Sequence, residues 1–335
     1  MSASTESSQS KRKDVLSNLK LRLYLFRRKY ASETGAKKIV VTIVMYLLII
    51  GLAFVFIYPF LYMIINSLMT NSDLNSSSVH WIPTEFKFEN YSIALQLING
   101  KRYFINSSIV TVFATIGHVI ACSFIGYGFA RYNFPFKNIL FAIVILAFIV
   151  PTQTIIIPLY LTYNQFHWIN TYWPLILPSF FGFGLRGALY VFLFRQFYLT
   201  VPKSLEEAAR IDGCGFMMTY WRIVFPLARA TLVVALVLSV VWHWNDSYEP
   251  GLYINSPTLQ FLPPRINSII AAANALPDQQ QEMLRNLGLS DGEDTLNNAV
   301  VMAGATIISS PVLLFFAFAQ RQFMQGIERS GITGE

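Results

Sequence analysis

The sequence predicts an all-α membrane protein, a polytopic helix bundle with six transmembrane helices. Of its residues, 54% are hydrophobic and only 13% are charged, and the mean hydropathy is +0.47. This composition lies outside the usual range for a soluble domain. A helix needs about 20 apolar residues to cross roughly 30 Å of hydrocarbon. Six such runs occur, at about 39–66, 105–129, 138–160, 173–194, 230–249 and 298–319.

Lysine and arginine predict the orientation of these runs. Such residues accumulate in cytoplasmic segments, and ten of them precede the first run: Lys11, Arg12, Lys13, Lys20, Arg22, Arg27, Arg28, Lys29, Lys37 and Lys38. With six crossings, the loop 195–229 is also cytoplasmic, and it carries five more basic residues. The net charge of +7 then reflects topology and contact with the anionic lipid bilayer, with no nucleic acid as partner.

The organisation that follows has both termini in the cytoplasm. A basic N-terminal tail over 1–38 leads into a transmembrane domain over 39–320, and a C-terminal tail covers 321–335. Within the transmembrane domain, the segment 250–297 is a long exterior loop. Its polar composition is compatible with either an added docking surface or a simple solvated loop.

The sequence lacks the motifs that mark several classes of catalytic and ligand-binding site. Cys122 and Cys214 fall in a span and in a cytoplasmic loop, so they are expected to be free packing residues, and no Cys/His spacing suits a metal. No Gly-x-x-x-x-Gly-Lys-Ser/Thr phosphate loop occurs. We therefore predict no catalytic residues, no metal and no cofactor, and if ATP supplies the energy, partner ATPase subunits bind it. The chain is not expected to be an enzyme.

The loop 195–229 contains a compact polar segment with helix signals at both ends. Ser204 and Glu207 have the Ser-x-x-Glu spacing of a capping box, which predicts a helix start. Gly213, after Asp212, suits the left-handed residue that commonly ends a helix. A second amphipathic stretch, 216–225, runs up to Pro226.

The composition of this short helix suits contact with another protein. Glu206 and Arg210 are four residues apart, the spacing of a helical ion pair. Ala208 and Ala209 favour helix and leave a smooth face that a partner groove can approach closely. The alternative from these residues alone is an interfacial helix that merely covers the bundle.

The joint pattern resembles a known family. Glu207-Ala208-Ala209, Asp212-Gly213, Ile223 and Pro226 resemble the coupling loop of binding-protein-dependent ABC importer permeases, the EAA motif. The resemblance implies an ABC importer permease fold. It also implies that Glu206, Glu207, Ala208, Ala209, Arg210, Asp212 and Gly213 couple the spans to an ATPase.

Further motifs are similar to one branch, the permeases of carbohydrate ABC importers, and specifically to the shorter permease of the maltose transporter. They extend over roughly 40–334 and include Trp81-Ile82-Pro83-Thr84, Tyr103-Phe104-Ile105-Asn106-Ser107, Gly128-Phe129-Ala130-Arg131 and Trp244-Asn245-Asp246. One departure is the C-terminal segment 326–334, which lacks the lysine common in the family's tail.

The resemblance also implies an assembly in a bacterial or archaeal cell membrane. Its partners would be a second permease subunit, most simply in a heterodimer, two ATP-binding-cassette ATPase subunits and an extracytoplasmic solute-binding protein, and its substrate a carbohydrate. The alternatives are an ABC permease for a non-sugar solute and a secondary transporter, although no internal repeat typical of the latter is evident.

Polar and aromatic residues within the predicted spans are candidates for the substrate path, because polar groups in spans are costly and often functional. Arg186 could line a water-filled path, pair with a partner subunit or extend to the interface. The two tryptophans could equally belong to the interfacial aromatic belt, and the polar pair after them could cap a helix. The candidate set is Arg186, Trp242, Trp244, Asn245 and Asp246.

Overall fold

A computed structural model describes residues 33–76, 81–184, 186–275, 277–286 and 296–332. Within these ranges the chain forms helices and connecting segments, and none of them contains a β-strand. The chain divides into two compact units, Met1–Tyr62 and Met63–Glu335. The basic tail predicted over 1–38 lies almost wholly outside the described residues.

The helices are numbered here in chain order. The first eight are α1 (Glu33–Ser67), α2 (Asn71–Asn75), α3 (Glu89–Leu97), α4 (Gly100–Arg131), α5 (Lys137–Ile149), α6 (Ile156–Gln165), α7 (Trp173–Ile176) and α8 (Gly187–Thr200). The remaining ones are α9 (Ser204–Ile211), α10 (Phe216–Thr219), α11 (Phe225–Leu227), α12 (Arg229–Asn245), α13 (Tyr248–Tyr253), α14 (Ile266–Ala273), α15 (Pro277–Asn286) and α16 (Asn298–Ile332).

Among the described residues, three helices are long and apolar enough to cross a membrane by themselves: Lys37–Ser67, Gly100–Arg131 and Asn298–Met324. Two bent pairs bring the number of candidate spans to five if each pair counts as one. The pair 137–149 and 152–165 bends by 99°, and the pair 216–227 and 229–245 bends by 78°. The described residues therefore support several membrane crossings, and the predicted number of six is not reproduced.

The run predicted as one span over 173–194 is divided. After α7, a 3₁₀ turn over Leu177–Phe181 ends at Gly182, and the next helix starts only at Gly187. Between them the backbone is left-handed at Gly182 (φ 70°), Gly184 (φ 103°) and Arg186 (φ 61°). Glycine adopts this conformation without steric cost, so two of these residues favour the break. The sequence signals a break that an apolar window cannot register.

Helix α4 is the centre of the second unit. It packs against α8, α12 and the turn over 177–181, while α12 also packs against α16. At Gly126 an added Cβ would lie 2.7 Å from the Cβ of Phe194 and 2.9 Å from the backbone nitrogen of Arg195. The backbones of α4 and α8 therefore approach closely at a position where only glycine fits without displacement.

The first turns of α4 bind a later segment of the chain. Tyr103 Oη donates to the carbonyl of Pro257 (3.0 Å), and the Asn106 amide donates to that of Gln260 (2.9 Å). Ser107 Oγ accepts the backbone N–H of Leu262 (2.8 Å). Because these three polar residues lie at i, i+3 and i+4 on one helix face, the motif 103–107 holds the segment 257–262 against α4.

The motif 81–84 has a structural role as well. The Asp73 carboxylate accepts the hydroxyl of Thr84 (2.6 Å) and its backbone N–H (3.1 Å). The Asn90 amide donates to the carbonyls of Ser67 and Met69. These contacts fix the connection between the end of α1 and α3.

Candidate functional site

Helix α9, the coupling helix hereafter, has one face buried and one face exposed. Glu206 and Ala209, three residues apart, are buried against the rest of the unit. Glu207, Ala208 and Arg210 are exposed. Of the two alanines predicted to form a smooth docking face, only Ala208 is available to a partner, while Ala209 packs inward.

The start of the coupling helix differs from the prediction. Its N-cap is Lys203, and no side chain makes a capping hydrogen bond there. The predicted capping box between Ser204 and Glu207 therefore does not form, and that prediction is wrong. Instead, the backbone N–H groups of Glu206 and Glu207 both bond to the carbonyl of Lys203 (3.0 Å each). Because Ser204 is already helical, its hydroxyl is not placed to cap the next turn.

Glu206 also has a different partner from the one predicted. Its carboxylate lies 2.6 Å from Nε of Arg131, at the end of α4, and both side chains are buried. Tyr127 donates its hydroxyl to the same carboxylate (3.2 Å), and Arg131 also donates to the carbonyl of Val201. The expected Glu206–Arg210 pair does not form, because Glu206 points into the unit and Arg210 is exposed. The coupling helix is thus bound to the longest buried span.

The end of the coupling helix follows the prediction. Gly213 has φ 81°. Its N–H bonds to the carbonyl of Arg210 (3.0 Å), and the N–H of Cys214 bonds to that of Ala209 (2.9 Å). This pair of bonds is a Schellman motif, which closes a helix when the residue after the cap is left-handed. Asp212 is the cap residue, with φ −73° and ψ 4°.

The second predicted stretch, 216–225, is helical but irregular. After α10, the residues Tyr220–Val224 form a π-helical turn, and α11 carries Pro226 before the 78° bend into α12. Tyr220 donates its hydroxyl to Ser123 Oγ (2.9 Å), which also bonds to Tyr198 Oη (2.6 Å). Turns of this kind occur frequently at functional sites. The stretch is therefore joined to both α4 and α8.

Large apolar side chains are exposed along the same region. Ile211 is 87% exposed, and Met217 and Trp221 are exposed as well. Together with Glu207 and Ala208 they form what we call the coupling surface. Ile211 lies in the eight-residue coupling helix, outside the candidate spans, so a protein partner is the simplest way to cover it.

The candidates for the substrate path separate into two groups. The Arg186 guanidinium carbon lies 4.5 Å from the centre of the Trp242 ring, an arrangement typical of a cation–π contact, and both residues are exposed. Trp244 is only 5% exposed and donates its indole N–H to the carbonyl of Ile308. Trp244 therefore packs between α12 and α16, and it also lines a small cavity of about 10 Å³.

The polar pair after Trp244 makes local bonds. Asn245 donates its amide to the carbonyl of Val241 (2.8 Å). Asp246 accepts the backbone N–H groups of Tyr248 (2.9 Å) and Glu249 (3.3 Å). Asp246 therefore bonds at the start of the next helix, whose N-cap residue is Ser247, and not at the end of α12.

A cavity of about 450 Å³ lies between the bent pair 137–165, the turn 177–184 and the ends of α12 and α13. Its walls are largely apolar, and its polar residues include Ser179, His243, Glu249 and Tyr253. Glu249 was not selected from the sequence. A carboxylate at the end of an apolar run is the signal that could have identified it.

Two histidines 125 residues apart meet beside this cavity. His118 Nδ1 lies 3.0 Å from His243 Nε2, and His118 Nε2 lies 3.2 Å from the carbonyl of Phe183. Since a carbonyl only accepts, His118 Nε2 carries a hydrogen, and a neutral His118 then accepts at Nδ1 from His243. The pair holds the loop after Gly182 against α4 and α12, a contact that sequence spacing did not predict.

Residues 122–329 match the family described as "Binding-protein-dependent transport system inner membrane component". The chain belongs to this family. The matched range contains the whole coupling surface, the cavity and α16 apart from its last turn. The permease is accordingly an inner-membrane, multi-pass component of a transport system, in agreement with its long apolar helices.

Named relatives and a solved structure resemble the permease over most of its length. The "Probable starch degradation products transport system permease protein AmyC" of Thermoanaerobacterium thermosulfurigenes is 31% identical over 83% of this chain and 92% of its own. The "Arabinooligosaccharides transport system permease protein AraQ" of Bacillus subtilis (strain 168) is 26% identical over 84% and 92%.

The solved structure is described as "a bacterial ABC transporter involved in the import of the acidic polysaccharide alginate". A chain of it superimposes with a TM-score of 0.71 at 20% identity, covering 87% of this permease and 98% of that chain. The two chains therefore share a fold, and the predicted ABC importer permease fold is confirmed at that level.

Proposed function

We propose that this permease is the membrane-spanning subunit of an ATP-binding-cassette importer for a carbohydrate. The observation that carries the proposal is the coupling surface, an exposed helix face with apolar neighbours, fixed to α4 through the buried Glu206–Arg131 pair. The substrate class is supported by relatives named for starch degradation products and arabinooligosaccharides. The tryptophan-containing motifs at 81–84 and 244–246 support it as well.

The proposed assembly places energy conversion in other subunits. The sequence has no phosphate-binding loop, so two partner ATPase subunits would bind ATP and this chain would catalyse nothing. A second permease would supply the other half of the path, and an extracytoplasmic binding protein would deliver the sugar. The basic residues before α1 favour cytoplasmic termini, with six crossings as the corresponding topology.

The mechanism we propose is rigid-body transmission. Closure of the ATPase dimer would move the coupling helix, whose exposed residues Glu207, Ala208 and Ile211 contact the ATPase. The buried Glu206 carboxylate would then carry the displacement to Arg131 and so to α4, because packed elements shift between discrete positions rather than deform. Arg186 and Trp242 remain our candidates for residues along the path.

The test begins with purification of the tagged chain from its native membrane after gentle extraction. Mass spectrometry is expected to identify a second permease and an ATPase. Reconstituted with the binding protein, the complex is expected to import a radiolabelled oligosaccharide only when ATP is supplied on the cytoplasmic side. Recovery of the chain alone, in vesicles that still transport without ATP, would instead support a secondary transporter. ATP-driven uptake of a non-sugar solute alone would reassign the substrate.

Two variants test the coupling assignment within that assay. Gly213→Pro places a residue restricted to φ near −65° where φ is 81°, and it removes the N–H that bonds to Arg210. Glu207→Lys reverses the charge of an exposed helix residue. Both are expected to insert normally and to abolish uptake. Gly215→Ala is the matched control, since Gly215 has φ −71° and an added Cβ meets nothing within 4 Å.

A further inference from the structure

The carboxylate of Glu249 lies at the boundary of two cavities. It lines the large cavity of about 450 Å³ and a small one of about 10 Å³ next to Ser107 and Phe261. Glu249 belongs to α13, after the end of the span α12, and its own backbone N–H bonds to Asp246. Glu249 is partly buried, and it is among the residues that line both cavities.

No hydrogen bond or ion pair joins this carboxylate to another residue in the part of the chain that the structure describes. Its nearest acidic neighbour is Asp246, whose Oδ1 is already occupied by two backbone N–H groups. A charge removed from water without a partner is costly. A ligand that donates a hydrogen bond at this position would offset that cost.

The surroundings restrict what that donor can be. Tyr163 and Tyr253 line the same cavity with their rings 5.1 Å apart. Ser179 and His243 add further polar groups, and the remaining walls are aliphatic and aromatic. Cavities of roughly 300–1,000 Å³ with apolar walls and a few placed polar groups are typical of small-molecule sites.

A cationic ligand would match only the carboxylate of Glu249. A neutral sugar would match both that carboxylate and the apolar and aromatic walls of the cavity. Sugar hydroxyls can donate to the carboxylate, and such O–H···O⁻ bonds are about twice as strong as neutral ones. The C–H faces of the ring can pack against Tyr163 and Tyr253.

We propose that this cavity is a transit site for a neutral carbohydrate, in which Glu249 binds a sugar hydroxyl. The inference rests on the proposed function and adds to it the residue that contacts the solute inside this subunit. Trp244 and Asn245, by contrast, make hydrogen bonds within the protein.

The experiment uses the complete importer in proteoliposomes, with ATP supplied on the side that the ATPase subunits face. Radiolabelled maltotriose, raffinose and arabinotriose are offered in turn to the wild type, and the sugar that is imported is kept. Glu249→Gln retains the shape but lacks the charge. It is expected to lower sugar import roughly tenfold or more while ATP hydrolysis continues, so the ratio of sugar imported to ATP hydrolysed falls. The matched control, Glu85→Gln at an exposed site, is expected to keep the wild-type ratio.

A second readout does not depend on transport. Ala188→Cys places a thiol in the cavity wall, with Cys214→Ser removing the partly exposed cysteine. A membrane-permeant maleimide is expected to label this thiol more slowly when the imported sugar is present. Glu249→Gln is expected to abolish that protection.

The outcomes separate the two proposals. If the wild type imports none of the three sugars, the carbohydrate assignment and this inference both fail. If the wild type imports a sugar, but Glu249→Gln keeps the same sugar-to-ATP ratio and the thiol is labelled equally with and without sugar, only the transit site is refuted. A variant that lowers import and ATP hydrolysis in parallel, with no thiol protection in the wild type, also counts against it.

Discussion

Two full charges, on Glu206 and Arg131, lie where the coupling helix meets the end of α4, and their side chains are at most 8% exposed. Pairs of this kind contribute little net stability compared with well-packed apolar residues. Removing only one partner, however, leaves the other charge buried without compensation. The pair therefore fixes the position of the coupling helix more than it raises the overall free energy of unfolding.

The buried pair predicts the behaviour of three variants. Glu206→Ala should destabilise the chain by about 3–5 kcal/mol, because Arg131 keeps its buried charge. The double variant Arg131→Met with Glu206→Met should regain most of that stability. Thermal unfolding in detergent, monitored as the loss of the monodisperse peak, measures the stability of both variants. Glu207→Gln, at an exposed position, is the control. A single variant as stable as the double one would contradict the assignment.

Asp73 gives a prediction about pH. The hydrogen bond from the Thr84 hydroxyl, together with that from its backbone N–H, lowers the pKa of the Asp73 carboxyl below its ordinary value of 3.8. A carboxyl with a lowered pKa stabilises the fold above its unfolded-state pKa, and the contribution is lost as the pH falls through the folded-state pKa. Asp73→Asn should therefore be less stable than wild type at pH 7. The difference should shrink below pH 3.8, as thermal melts across that range would measure. A constant difference would exclude this account.

At the scale of elements, the close contact between α4 and α8 depends on Gly126, which has no side chain. Gly126→Ala places a Cβ 2.7 Å from that of Phe194, and overpacking of this kind costs about 1–3 kcal/mol. The variant is expected to unfold at a lower temperature. Gly128→Ala, two residues along the same helix with nothing within 4 Å of its added Cβ, should be neutral or slightly stabilising because alanine favours helix. Equal melting temperatures for the two variants would refute the close contact.

The elements also show what local sequence can and cannot predict. The spans at 105–129 and 298–319 correspond to long helices, Gly100–Arg131 and Asn298–Met324, because apolar length decides them. The Schellman end at Gly213 was predictable because only a few residue types accept its backbone conformation. The break at 182–186 escaped an apolar window, although its glycines signal it.

In the candidate site, the contacts that the sequence did not predict are those between residues far apart in the chain. The bond between His118 and His243 and the pair Glu206–Arg131 join residues far apart in sequence. In the second case a local rule, the i to i+4 pair with Arg210, selected the wrong partner. A buried carboxylate prefers the cation that shares its burial, and burial depends on how α4 and the coupling helix pack together.

At the scale of the whole molecule, the coupling surface and the cavity belong to the same unit and involve different residues. Ile211→Asp tests this division. Ile211 is 87% exposed, so the variant should leave the stability of the chain unchanged. It should reduce the ATPase recovered with the tagged chain at least tenfold, because a charge would replace an apolar contact at a protein interface. Gly215→Ala should recover the wild-type amount. Undiminished recovery with Ile211→Asp would move the interface elsewhere.

The buried pair also has a consequence for synthesis of the chain. Arg131 ends a helix that is translated well before Glu206 leaves the ribosome, and at roughly 5–20 residues per second the delay is several seconds. During that interval the guanidinium has no carboxylate and remains at the aqueous boundary of the bilayer. Only when the coupling helix emerges can the arginine be buried. The nascent protein therefore completes its coupling surface late, in the same step that fixes the end of α4.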